Sequence, residues 1–177
     1  TLTGTPLTTL STTGSPYRAG AGSGSQIKVQ MLVRASELTA LGIPAGTSLT
    51  SLGFTTPATA SGTIANFSIA MAQTTATALT TTFLTNTLQT VFSVASYSPV
   101  ANSVNTHIFN TPFVWDGTSN LIIETRQTNN VTGTSGVLAY NPGFTASVNA
   151  GSTTGFAATT GATSDRAIMT WGYLTNI

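Results

Sequence analysis

The sequence contains no cysteine, so neither a disulfide framework nor thiolate chemistry is available to it. Charge is almost as scarce: charged residues are 5% of the 177, against about 25% in an ordinary soluble protein, and the formal net charge is +1. The bases Arg18, Lys28, Arg34, Arg126 and Arg166 are scattered. A nucleic-acid binder clusters its Lys and Arg to neutralise phosphates, so nucleic acid is not an expected partner. No apolar run approaches the roughly 18 residues of a membrane-spanning helix. No stretch reads as a signal peptide, which a mature secreted chain would have lost. The single histidine, His107, cannot supply a zinc site, for which three or four N or S ligands are usual, and it is expected on a strand surface.

What stands in place of charge is Thr, Ser, Asn and Gly. Thr makes up about a fifth of the chain, and a β-branched residue with a hydroxyl suits the solvent face of a strand. The hydrophobic fraction, 40%, is enough for a core in a chain of this length. A soluble monomer normally resists association with a charged surface. A polar, nearly uncharged surface fits an extracellular wall or filament component, built to meet other surfaces.

Along the chain, residues 1–14 read as an extended arm with at most an edge strand, with Leu2, Leu7 and Leu10 as its main apolar points, and 15–177 as one domain. "AGAGSGS" lacks the Lys-Ser/Thr ending of a phosphate loop and reads as a plain Gly-rich loop. "QIKVQMLV" alternates as a half-buried strand. In "RASELTALG", Ser36 is expected to cap one helical turn over 36–41, with Leu38 and Leu41 inward and Gly42 ending it. Strands are expected at 49–56, 62–72, 89–94 and 104–110, in "PFVW", "SNLIIETRQ", "GVLAYN", "FTASVN" and "RAIMTWGYL", with Thr-rich 73–87 as an ordered crossing loop. Short strands at regular spacing, punctuated by Gly, Pro and Asn, predict an all-β antiparallel sandwich, jelly-roll-like in form.

Four segments, "ASELTALGIPAGTSLTSLGF", "FSIAMAQTTATAL", "FNTPFVWDGTSNLIIET" and "DRAIMTWGY", resemble β-sandwich modules of secreted and cell-surface Bacteroidetes proteins, many exported by the type IX secretion system. The likeness spans roughly residues 15 to 173, includes the pair Asn129 and Asn130, and is most specific in "FVWDGTSNLIIET". It implies a non-catalytic, jelly-roll-like module at or outside the cell surface, often in adhesins, and brings no catalytic residues. Where many such modules carry Cys after the Glu, this chain has Arg126.

Candidate sites are few. In "TPFVWDGTSN", Asp-Gly between apolar strands is a hairpin signal: Gly117 accepts positive φ, the Asp116 carboxylate can bond nearby N–H groups, Trp115 packs inward and Asn120 closes the turn. Asp116 and Glu124 are also the candidates for a structural calcium, although that ion takes 6 to 8 oxygens. Glu124 and Arg126 lie two apart on one strand face, as a surface ion pair reaching toward Asp165 or Arg166, or as a sugar-binding pair. The four acids, Glu37, Asp116, Glu124 and Asp165, offer no evident catalytic pair. Tyr97 and Tyr140 adjoin loops and are the candidates for stacking on glycans. Asn66 with Ser68, and Asn130 with Thr132, form sequons.

Two functions follow as expectations. The first is a structural subunit that assembles with copies of itself or with adjacent modules into a surface filament, sheath or adhesin stalk. In it, the arm adds as a strand to a neighbour's sheet edge, with Leu2, Leu7 and Leu10 setting register. The second is a carbohydrate-binding or adhesion module. Neither requires a cofactor.

Overall fold

Period-two burial shows most clearly in the 104–110 stretch of the chain, whereas several other strands are buried on both faces. The computed structural model describes residues 1–2, 4, 7–10, 14–18, 26–59, 62–128, 136–152 and 161–175. They form β1 (Leu7–Leu10), β2 (Gln26–Val33), α1 (Ala35–Ala40), β3 (Ser48–Thr55), β4 (Ile64–Thr74), β5 (Gln89–Tyr97) and β6 (Val104–Val114). The second half adds β7 (Asn120–Thr128), β8 (Val137–Tyr140), β9 (Ser147–Ser152), β10 (Gly161–Thr163), β11 (Arg166–Ala167) and β12 (Met169–Leu174).

The result is an antiparallel β-sandwich. One layer has six strands in the order β10-β9-β2-β7-β4-β5. The other consists of two three-stranded sheets, β1-β8-β11 and β12-β3-β6. These two are stitched together where β11 runs into β12: Ile168 N donates to Leu138 O (2.8 Å) and Leu2 N to Met169 O (2.7 Å). Inward residues of both layers, among them Val29, Met31, Phe67, Ile69, Ile123, Leu52, Phe54 and Met169, fill one core.

The six-stranded layer has a second burial. Residues 75–88, the Thr-rich crossing, lie over its outer face, and Leu79 and Phe83 pack there on Leu32, Val148 and Ala150. Gln30 fastens the crossing, donating from Nε2 to Leu84 O (2.9 Å) and accepting at Oε1 from Leu84 N (2.8 Å). Outward residues of β2 and β7 are therefore buried too.

Two local expectations are corrected. Helix α1 begins at Ala35 with Arg34, not Ser36, at the N-cap; the Arg34 backbone N–H donates to Glu37 Oε2 (2.9 Å), the acid three residues on. Leu38 points inward, Leu41 is half-buried, and Gly42 follows at φ +76°. Second, 104–110 and "PFVW" are one strand. Pro112 is tolerated because β6 pairs only with β3, and the register shifts between Leu49 and Ser51, where β6 bulges. Of residues 1–14, the described ones include an edge strand: β1 pairs with β8 of its own chain at the edge of its sheet, and Leu2 is buried against Met169. Leu10 packs on the core, while the side chain of Leu7 lies outside the described residues. Burying Leu2 and pairing four backbone positions is worth more to the chain than leaving them in water. Residues 19–25 and the pair Asn129 and Asn130 also lie outside the described residues.

Candidate functional site

The turn before β7 is held from within. Asp116 Oδ1 accepts from the backbone N–H of Thr118 (2.8 Å) and of Ser119 (2.7 Å), and Oδ2 accepts from the Ser119 hydroxyl (2.6 Å). The Ser119 bonds, with the Thr118 N–H in support, pull the Asp116 pKa down to about 2. Trp115 is buried and donates from Nε1 to Ser119 O (2.8 Å). Gly117 has φ +89°, and a Cβ there would sit 2.2 Å from Ala45 Cβ. Asn120 bridges two elements, accepting from Ala35 N (2.8 Å) and donating to Ala76 O (2.8 Å). The Asp116 carboxylate thus serves the turn's own donors. Glu124 lies four residues into β7 on a separate network, so the two calcium candidates do not converge, and no group of three metal-ligating side chains occurs among the described residues.

His107 is not on the surface. It is 1% exposed, at the centre of a cluster of Tyr17, Phe67, Phe92 and Tyr97 rings whose centroids lie 4.7 to 5.9 Å from its own. The Tyr17 hydroxyl shares a 2.6 Å hydrogen bond with Nε2. Burial lowers the His107 pKa to about 4, so the ring is neutral at pH 7. Its neighbour in the same row, Asn105, is buried as well and accepts from the Tyr97 hydroxyl (2.8 Å). The inward face of strand β6 carries Asn105 and His107 together with Phe109 and Phe113, while Val104, Ile108 and Val114 face out at 44%, 74% and 54% exposure.

Neither candidate stacking tyrosine offers an open ring. Tyr97 is half-buried in the histidine cluster, with its pKa raised by burial. Tyr140 is 5% exposed, and Gly4 lies close enough that a Cβ there would meet its ring at 2.5 Å. Its hydroxyl donates to Glu37 Oε1 (3.1 Å) and accepts from Arg166 Nη2. Arg166, fully buried, also donates to both Glu37 oxygens (2.9 and 2.6 Å) and to Leu32 O (2.6 Å). Burial would raise the Glu37 pKa, but the Arg166 bonds and charge, with the Arg34 N–H and Tyr140 hydroxyl, outweigh it and hold the carboxyl below its ordinary value. For Tyr140, burial prevails over Arg166 and pushes the phenol up to about 12. A cleft of about 380 Å³ opens beside this network, between Leu2, Leu41 and Phe144. The network ties α1 to β8 and β11. Its signal in the sequence is the acid three residues after the N-cap; its partner, 129 positions away, has none.

Glu124 and Arg126 do pair, at 2.5 Å, but not as an exposed couple: the Glu124 side chain is 2% exposed and the Arg126 side chain 44%. Glu124 Oε2 accepts from Gln30 Nε2 (2.8 Å) as well. Arg166 belongs to the Glu37 network, and Asp165 accepts from the Thr8 hydroxyl (3.4 Å), so neither takes part. A polar pocket of about 270 Å³ lies over Glu124 and Arg126, walled by Ser68, Ala70, Leu88 and Thr90.

The fold and these sites define an antiparallel β-sandwich whose buried charges are internally paired. Comparisons with models of protein families, with curated proteins and with solved structures find no match to this chain. The likeness to Bacteroidetes modules rests on the quoted motifs alone.

Proposed function

We propose that this chain is a non-catalytic, extracellular structural module that assembles with copies of itself into a surface filament, sheath or adhesin stalk. The observation that carries this reading is the outer face of strand β6: while Phe109 and Phe113 enter the core beside Asn105 and His107, Val104, Ile108 and Val114 are left to solvent. Around Ile108 the outer face of β12-β3-β6 carries small, uncharged residues: Ser51 and Gly172 complete its row across the sheet, and Gly53 lies two residues along β3. Exposed apolar side chains ringed by polar ones are what association buries. No charge on that face repels a second copy. The four carboxylates each serve a separate structural partner, which supports a role without catalysis.

With the N-terminal strand docked on its own domain, we assign association to the outer face of β6. Electron microscopy of the full chain at micromolar concentration tests the proposal: ordered fibres or sheets are expected, and a uniform field of single particles would contradict it. A second reading, a carbohydrate-binding or adhesion module, loses its tyrosine platform but keeps one supporting observation, the pocket at Glu124 and Arg126.

A further inference from the structure

We infer that the pocket over β4, β5 and β7 is a binding site for one sugar residue, a neutral polyhydroxylated ring. This gives the carbohydrate reading a location, and it stands or falls separately from self-assembly. The register explains why a pocket exists. Thr90, Ala70, Glu124 and Gln30 form one row across β5, β4, β7 and β2, and Ser68, Arg126 and Lys28 form the next. Ala70, in the middle of the first row, has no side chain beyond its methyl, so a hollow remains between the hydroxyl residue on one side and the acid on the other. The end of the crossing segment, at Leu88, supplies the rim.

The chemistry of the lining selects the ligand. A carboxylate that is 2% exposed is costly unless its acceptor sites are filled. Glu124 accepts one bond at each oxygen, from Arg126 Nε and Gln30 Nε2, which uses about two of the roughly four acceptor sites of a carboxylate. An anion entering the pocket would meet that carboxylate. A cation would meet Arg126 and, one strand further, Lys28, whose own pKa is lowered by burial and by Arg126 against the pull of Glu124. A hydroxyl both donates and accepts, so a neutral ring can donate to Glu124 and accept from Arg126, Ser68 and Thr90, with its C–H face on Ala70 and Leu88. The volume of about 270 Å³ equals roughly nine waters at ~30 Å³ each, room for one ring.

The test is a heteronuclear NMR titration of the full chain with methyl glycosides of neutral hexoses and N-acetylhexosamines, with inorganic phosphate and calcium chloride as separate arms. Expected are saturable shifts confined to β4, β5 and β7 with at least one glycoside. Affinity should fall at least about tenfold in Ala70→Leu, which fills the hollow, and measurably in Thr90→Val, which removes only a hydroxyl. Thermal unfolding of both variants should match the parent, so that lost binding is not lost folding. No saturable shift at about 100 mM glycoside, binding unchanged in Ala70→Leu, or response to phosphate or calcium alone would each overturn the site. A free sugar and the end of a glycan present the same ring; a matched oligosaccharide arm names the source, the glycan if it binds at least as tightly. Assembly is followed in parallel by light scattering, and Ala70→Leu should assemble normally, which separates failure of this site from failure of the assembly proposal.

Discussion

Replacing Glu37 by Gln removes the counter-charge of a guanidinium that has no water to turn to. Arg166 is fully buried, and Glu37 accepts from both its terminal nitrogens, while the Glu37 side chain keeps 18% exposure. Breaking one member of a buried pair costs about 3 to 5 kcal/mol, because the remaining charge is left uncompensated. Partial exposure of Glu37 and the hydrogen-bonding capacity of Gln place this case near the lower end, about 3 kcal/mol. Trp115 and Trp171 are both buried, so their fluorescence reports unfolding in urea. With a slope of roughly 2 kcal/mol/M for a domain of this size, the midpoint should drop by about 1.5 M with the slope unchanged. The sign with pH follows from the depressed Glu37 pKa. Its contribution is complete above the ordinary carboxyl value of 4.5 and is lost as pH falls through the lower folded value, so Glu37→Gln should flatten that part of the acid limb. Glu37→Leu combined with Arg166→Met should recover much of the loss, since an apolar pair of similar volume is often as stable as the ion pair. A cost under about 1 kcal/mol for Glu37→Gln would refute the view that this network holds α1 onto β8 and β11.

Three more outcomes follow from the same reasoning. His107 has a folded pKa of about 4 against 6.5 unfolded, so the unfolded chain takes up a proton the folded one refuses; stability should fall by about 3 kcal/mol as pH drops from 6.5 to 4, then level off. The His107→Phe variant, compared by urea titration across that window, should lack this slope, and an unchanged slope would mean the ring is not sealed in the core. Gly117→Ala forces a Cβ at positive φ to within 2.2 Å of Ala45 and should lower stability by about 2 to 3 kcal/mol, with a fall in Tm of several degrees by calorimetry. Millimolar calcium should leave Tm unmoved, because the turn's own donors occupy Asp116; a rise of several degrees would reveal a site through mass action.

Much of the fold was legible because it rests on local periodicity. The alternation in "QIKVQMLV" and "NFSIAMA", and the Asp-Gly turn, are short-range signals, and the strands and turn lie where they point. The departures are non-local. In "VNTHIFN" either parity is chemically possible, and the expectation that the polar side faces water fails because Tyr17, 90 positions away, supplies His107 with its partner. Glu124 reads as a surface residue until the 75–88 crossing is laid over it, with Gln30 held by Leu84. The N-terminal leucines carry no mark of whether their partner strand belongs to the same chain; here Leu7 and Leu10 pair with β8 and Leu2 with Met169. Tyr97 and Tyr140 adjoin loops in sequence, but their hydroxyls find Asn105 and Glu37, and a satisfied phenol stays inside.

The central claim, that the outer face of β6 joins copies of this chain, is tested most directly by one substitution, Ile108→Lys, at the most exposed of its apolar residues. Sedimentation velocity of parent and variant over about 1 to 100 µM is the measurement, a range that spans weak to moderate self-association. The parent should grow beyond a monomer with concentration, and the variant should stay monomeric with the same Tm. A parent that remains monomeric throughout, or a variant that assembles equally well, would contradict it.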